Sequence, residues 1–463
     1  MVRVAGLGDP EKSLTFPADT IADSTGAETG APDIDRRLFG IGVAAAGLSV
    51  AKASVAAQAI ANTRPQDGFD LWSVVRGAFD LDQRYTNLSA GSSSPAPVAA
   101  QRRVVDTMAQ VHSSPTLYFR LHEGADQQAL KKRLARMIGA APDEIVITRN
   151  ATEGLMTVIF GLELKPGDEV ITTSQDYATV IAAWKQREQR EGIRVLVVNT
   201  PFKAANHQET VDIIRNAITP RTRVISVCHI LSTSGQVMPV EEIASLAKSR
   251  GIELLVDAAH GLAQIPIDVE RLGADYLMAS LHKWLCAPHG AGVLYVRKSR
   301  IAKLWPLLAS DTYEPRSENI AKLESIGTAP PVWVGAHAAL DLHDAIGQSR
   351  RSSRMQWLKE YWAERLARIN GVTIHSRLDP AYSCGMARFS VYGFDDLALA
   401  RSFRLDHQLL VGATAPSANE LYGGHPGVRG IAVDTPVFVS TDDLDRLVDT
   451  VKFVMRARRP EHA

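Results

Sequence analysis

From Asp143 to Asp257 five short β-rich runs alternate with segments of helical period, a pattern that few folds accommodate. The runs are Asp143–Thr148, Glu169–Thr173, Arg194–Val198, Arg223–His229 and Glu253–Asp257. Between them lie Leu155–Leu162, Ala178–Arg190, Glu209–Ile218 and Val240–Ser249, with apolar residues at helical spacing. Strands that alternate with helices are joined by crossovers, so the pattern predicts an α/β fold with a mostly parallel sheet. After Leu304 the pattern changes. Trp333–Ile346, Ser353–Ile369, Asp396–Phe403 and Asp442–Phe453 read as helices, and Ala387–Tyr392 and Gly430–Val433 as strands, which predicts a smaller C-terminal α+β domain. At 463 residues and 45% hydrophobic content, the chain is long enough and apolar enough for both.

One stretch carries the chemistry. Tyr276–Ala279 and Gly292–Val296 are apolar runs flanking Ser280-Leu-His282-Lys283 and a crossing rich in Gly, Pro and His. A lysine held among uncharged neighbours loses solvation, which lowers its pKa and frees the amine to attack a carbonyl. That is the requirement for a Schiff-base lysine. Upstream, Glu253-Leu-Leu-Val-Asp257-Ala-Ala-His260 ends a strand in a carboxylate, and such strand ends in α/β sheets face the ligand crevice. Asn150-Ala151-Thr152-Glu-Gly opens a helix after a strand, where free backbone N–H groups favour an anion.

Lys plus Arg equals Asp plus Glu at 51 each, so the overall charge balance gives no sign of nucleic acid or an anionic membrane as a partner. Cys228, Cys286 and Cys384 are scattered without metal-binding spacing and form no disulfide framework. No metal is expected. Residues 1–59 read as an export signal: Arg36-Arg37 with Phe39, a modestly apolar run Ile41–Ala57, then Ala57-Gln58-Ala59. The run is short and weakly hydrophobic for a membrane span. The expected domains are this twin-arginine signal, an arm over 60–95, a large domain over 96–335 and a small one over 336–463. Export to the periplasm is expected, with no membrane segment left in the mature form.

The ordered set Asn150-Ala-Thr152-Glu-Gly, Val-Asp257-Ala-Ala-His260, Ser280-Leu-His282-Lys283-Trp-Leu and Gly327-Thr328 resembles the class V aminotransferases, fold-type I pyridoxal-phosphate enzymes. The resemblance runs from about Leu88 to the C-terminus and is nearest the isopenicillin N epimerase-like branch, with cysteine desulfurases more distant. It implies pyridoxal 5'-phosphate joined to Lys283, its pyridinium nitrogen held by Asp257 and its phenolate oxygen met by His260. Tyr177 would stack on the ring, where desulfurases carry histidine, and Ser232 would lie near the phenolate side. Ala151, Thr152, Ser280 and His282 would hold the phosphate, helped by Thr328 reaching across a homodimer.

Two departures from the family pattern bear on the reaction. The region Leu410–Asn419, where desulfurases carry a nucleophilic cysteine, has none. The last strand reads Ile431-Ala432-Val433, where relatives carry an arginine that binds the substrate carboxylate. Either the register differs, or Arg429 acts as the clamp from a new position, or the substrate binds without one. The expected activity is epimerase-like chemistry on an amino acid. Transamination, β-elimination as a C–S lyase, and a binding protein of this fold without turnover are the alternatives.

Overall fold

The computed structural model describes residues 70–309, 314, 316–325, 329–413 and 430–457. Residues 1–69, which include the segment expected to be an export signal, and the segments holding Thr328 and Arg429 lie outside them. The strands are β1 (Thr86–Asn87), β2 (Ile145–Thr148), β3 (Glu169–Thr173), β4 (Arg194–Val198), β5 (Thr222–Cys228), β6 (Glu253–Asp257), β7 (Tyr276–Ser280) and β8 (Gly292–Val296), followed by β9 (Val372–Ile374), β10 (Met386–Val391), β11 (Leu409–Leu410), β12 (Gly412–Ala413) and β13 (Ile431–Asp434). Seven form one sheet in the order β2-β8-β7-β6-β5-β3-β4, in which β8 alone runs against its neighbours.

Both faces of this sheet are buried, which is why its strands read as near-continuous apolar runs rather than an alternation. Ile145, Ile147, Ile225, Val227, Leu254, Val256 and Leu277 face one apolar core. Their neighbours Val146, Val224, Leu255, Tyr276 and Met278 face a second, against Leu155, Val158 and Ile159 of helix Ala151–Gly161 and Trp184 of helix Ala178–Glu191. A second sheet, β12-β13-β10-β9, is antiparallel and shares its core with helices Gln348–Ala367, Asp396–His407 and Thr441–Ala457. β1 pairs in parallel with β11 as a separate two-stranded sheet, tying the chain before the large sheet to the segment just before β12.

Residues 98–121, for which the sequence pattern predicted no element, form helices Val98–Ser113 and Pro115–Leu121. Val105, Met108, Leu117, Phe119 and Leu121 stand exposed on them, so no inward apolar stripe marks these helices in the sequence. Topology brings the chemical motifs together. The C-terminal ends of β2, β3, β5, β6 and β7 and the start of β8 share one edge of the large sheet, and the helix beginning at Ala151 opens from it. The two sheets approach at that edge. Gly235 there has φ +72°, and a Cβ on it would stand 2.4 Å from the Met386 carbonyl oxygen of β10. Glycine therefore allows the small domain to close on the loop after β5.

Candidate active site

Lys283 sits just past the end of β7, and its nitrogen lies 3.2 Å from Nε2 of His260. Burial lowers the pKa of the amine, and the charge of Asp257 only partly opposes that shift. Asp257 ends β6 and is buried in turn. Desolvation raises the pKa of its carboxyl against the pull of Lys283 and of the Ala259 N–H, which donates to Oδ1 at 2.9 Å. His260 is held well below its ordinary range by burial and by Lys283, so it stays neutral. A carboxylate, an amine and a neutral imidazole thus meet at the crevice edge, each out of water. That is a set in which small electrostatic changes move protons.

The anion end lies beside it. Asn150 caps the helix Ala151–Gly161 by accepting from the Glu153 N–H at 2.9 Å, and the Ser280 hydroxyl accepts from the Ala151 N–H at 2.9 Å. β7 and the helix start are therefore locked together, with Thr152 in the first turn. Gly292 allows this closeness, since a Cβ there would lie 2.6 Å from the Asn150 carbonyl carbon. His282 stacks on His289 at 4.5 Å, and burial brings its pKa down to about 4. Its Nδ1 is buried without a partner among the described residues. The Ser94 N–H of the arm donates to the His282 carbonyl at 2.9 Å.

Tyr177 precedes the helix Ala178–Glu191 and is about half exposed at the sheet edge. The adjacent Asp176 is buried and accepts from the Thr172 hydroxyl and from the Thr173 and Cys228 N–H groups, binding the ends of β3 and β5 together. Ser232 is half-buried in the loop after β5, and its carbonyl receives Arg388 Nη2 at 3.4 Å. Cys228, Cys286 and Cys384 are free and buried, with burial raising each thiol's pKa.

Three neighbours of this cluster were not predicted from the sequence. Trp284, fully buried, donates from Nε1 to His260 Nδ1 at 3.2 Å. Arg388 lies on β10 directly opposite Ala432 of β13, its guanidinium reaching Gly430 and Ser232 carbonyls. Asp434 shares the face of Ala432, two residues on. Its Oδ2 takes the Gly91 N–H at 2.8 Å, its Oδ1 is buried without a partner among the described residues, and desolvation pushes its carboxyl up to about 6. The alternation of Ala387–Tyr392 put Arg388 on a solvent face. That face instead packs against the large domain, where Arg388 is buried.

The residues fit pyridoxal phosphate. A buried amine suits its carbonyl, a buried carboxylate its pyridinium, and a helix start with a serine, a threonine and an unpartnered imidazole nitrogen its phosphate. A separate cavity of about 790 Å³, lined by Asp80, Ser93, His289 and Arg446 among others, contains neither Lys283 nor Asp257. The convergent titratable groups, and not that cavity, mark the candidate site.

Comparison with known proteins agrees. The pattern of the family described as Aminotransferase class-V matches residues 85–404. The isopenicillin N epimerase of Streptomyces clavuligerus is 26% identical over 395 residues, covering 82% of this chain and 97% of that protein. A cysteine desulfurase of Haloferax volcanii is 32% identical over 257 residues, covering 52% of this chain and 59% of its own. Among solved structures, the cysteine desulfurase CsdA of Escherichia coli superposes with TM-score 0.74 at 21% identity, over 84% of this chain and all of that one. The cystine C–S lyase C-DES superposes with TM-score 0.70 at 21% identity, over 79% and 97% respectively.

Asp434 makes the site's stability depend on pH. Its carboxyl binds a proton more tightly folded than unfolded, so ionisation costs the folded state stability as pH rises from 3.8 through about 6. The difference is about 2 pH units, or roughly 3 kcal/mol. Asp434→Asn keeps an acceptor for Gly91 and cannot ionise. Its advantage over the parent should grow by up to roughly 3 kcal/mol between about pH 4 and about pH 7. Denaturant unfolding across that range checks this; parallel curves for the two proteins would show that Oδ1 is solvated in solution.

Proposed function

Because the chain belongs to the aminotransferase class-V family and is a pyridoxal-phosphate enzyme, we propose that it acts at the α-carbon of an amino acid by isopenicillin N epimerase-like chemistry. The observation that carries this reading is the buried cluster of Lys283, His260 and Asp257 at the end of β6 and β7. The two isopenicillin N epimerases compared, at 26% and 27% identity, are covered over 97% and 98% of their lengths, which supports the choice of branch. Persulfide chemistry would need a reactive thiol, and all three cysteines are buried with raised pKa values.

When bound, pyridoxal phosphate supplies a sink for the electron pair left on the α-carbon. Lys283 Nζ would hold the cofactor and, once free of it, would move the substrate's α-proton as base and acid. The Asp257 carboxylate would hold the ring nitrogen's proton. His260 Nε2–H would donate to the ring oxygen, with Ser232 nearby. Tyr177 would stack on the ring, and Ala151, Thr152, Ser280 and His282, with Thr328 from a second copy, would hold the phosphate.

Arg388 binds the substrate carboxylate in place of the missing arginine at Ala432. It stands across the strand pair from that position, and its guanidinium reaches the Gly430 and Ser232 carbonyls. Arg429, the nearest arginine in sequence, is the competitor. Catalysis requires a homodimer, for which the exposed Val105, Met108, Leu117, Phe119 and Leu121 offer an apolar surface. The protein is exported already folded through Arg36-Arg37. Mass in solution tests the dimer, and Lys at both arginines, followed by fractionation, should leave uncleaved precursor inside.

Borohydride reduction of the yellow enzyme should label Lys283. Lys283→Ala should bind cofactor without the bond and lose at least about 10⁴-fold in turnover, since attachment and proton transfer both depend on it. Incubation with single amino acids, reading product chirality, keto acid and released sulfide, separates the reaction types; net keto-acid or sulfide formation without racemisation would reject epimerase-like action. Arg388→Ala should raise KM by about 10- to 100-fold with the absorbance unchanged, and Lys there should restore it only in part. A larger rise in Arg429→Ala would move the clamp to the segment before β13.

A further inference from the structure

An indole N–H can only donate a hydrogen bond. Trp284 Nε1 stands 3.2 Å from His260 Nδ1, so Nδ1 must present its lone pair. His260 is buried at 7% exposure and neutral, so its single proton resides on Nε2. Nε2 faces Lys283 Nζ at 3.2 Å. As a donor, it requires the amine there to accept, which only an uncharged amine does. In the opposite tautomer, with the proton on Nδ1, the contact with Trp284 would be lost. Nε2 would then accept from a protonated, unreactive lysine.

The indole is itself fixed. The Trp284 carbonyl receives the guanidinium of Arg351, which is buried and also donates to the Ala263 carbonyl at 3.1 Å. The ring edge lies against Gly91, where any Cβ would come within 2.9 Å of Cζ2. On the other side, the His260 carbonyl accepts from the Gln264 amide at 2.6 Å, and Gln264 Oε1 accepts from the Gly385 N–H at 2.6 Å. The two rings meet edge-on at 6.5 Å. Neither ring has freedom to exchange roles.

We infer that Trp284 is a positioning residue that holds His260 in the Nε2–H tautomer, keeping Lys283 a neutral nucleophile and presenting a donor to the cofactor's ring oxygen. This rests on the roles given above to Lys283 and His260. Packing alone would need the bulk of Trp284 but not its N–H. The charged groups around the pair are Lys283, Asp257 beyond it, Arg351 on the Trp284 carbonyl, and Asp434, which meets Trp284 through Gly91.

The experiment replaces Trp284 by benzothienylalanine, which keeps the bicyclic shape and deletes the N–H, with Trp284→Phe as the genetically simple version. Side-chain ¹⁵N shifts of His260, in cofactor-free protein, should show the Nε2–H tautomer in the parent and a mixture in the variant. In loaded enzyme, a donor on the ring oxygen weakens that oxygen's hold on the neighbouring proton of the Lys283 linkage. Losing it should therefore raise the midpoint of the absorbance titration by about 1 pH unit. A parent in the Nδ1–H tautomer, or a variant with the parent's tautomer and midpoint, overturns the inference while borohydride labelling of Lys283 still upholds the enzyme assignment. If Lys283 takes no cofactor, that assignment fails instead, and the ¹⁵N shifts of the cofactor-free protein still decide the tautomer.

Discussion

Lys283 and Asp257 are taken out of water together, and much of the molecule is arranged to make that tolerable. A buried amine and a buried carboxylate each cost several kcal/mol in isolation. Their placement at the ends of adjacent parallel strands puts them within mutual reach, while the Ala259 N–H and His260 provide local partners. The cost is not fully offset: burial still lowers the pKa of the amine and raises that of the carboxyl. A surface lysine of pKa above 10 would be a poor nucleophile; this one is not held there.

The sheet supplies the rigidity that this arrangement needs. Strands β5, β6 and β7 have apolar cores on both faces, so Asp257 and Ser280 are fixed at their ends by packing rather than by loop conformation. Asp176 ties β3 to β5, and Ser280 ties β7 to the helix start at Ala151. Gly91, Gly235 and Gly292 sit where backbone or carboxylate from another segment comes too close for any side chain. The crevice is thus assembled from parts far apart in the chain, each held by a short-range steric or hydrogen-bond requirement.

The small domain contributes charge as well as closure. Arg388 and Asp434 project from neighbouring strands onto one face, and that face meets Gly91 and, from the large domain, Ser232 and Gly235. A guanidinium and a carboxylate attract each other beside Ala432, which lies directly opposite Arg388.

Local pattern was enough for the sheet, the helix start at Asn150 and the pairing of a strand-end Asp257 with Lys283, because those features depend on the residues next to them. Periodicity fixes which way a side chain faces within its own element, and apolar runs reveal burial on both sides. Arg388 was invisible to that logic. On a half-buried strand it alternates with Ala387, Phe389 and Val391 and should face water, and only the approach of the large domain buries it. Trp284 stood in the lysine motif, yet its hydrogen bond to His260 spans 24 positions and depends on how two loops cross. Asp434, one residue past the Ile431-Ala-Val run, gained its meaning from Gly91, 343 positions away. The sequence by itself determined the fold class and which lysine and carboxylate meet at the crevice. Which groups meet His260, and where Arg388 lies, depended on contacts between distant segments, and only the tertiary structure decided them.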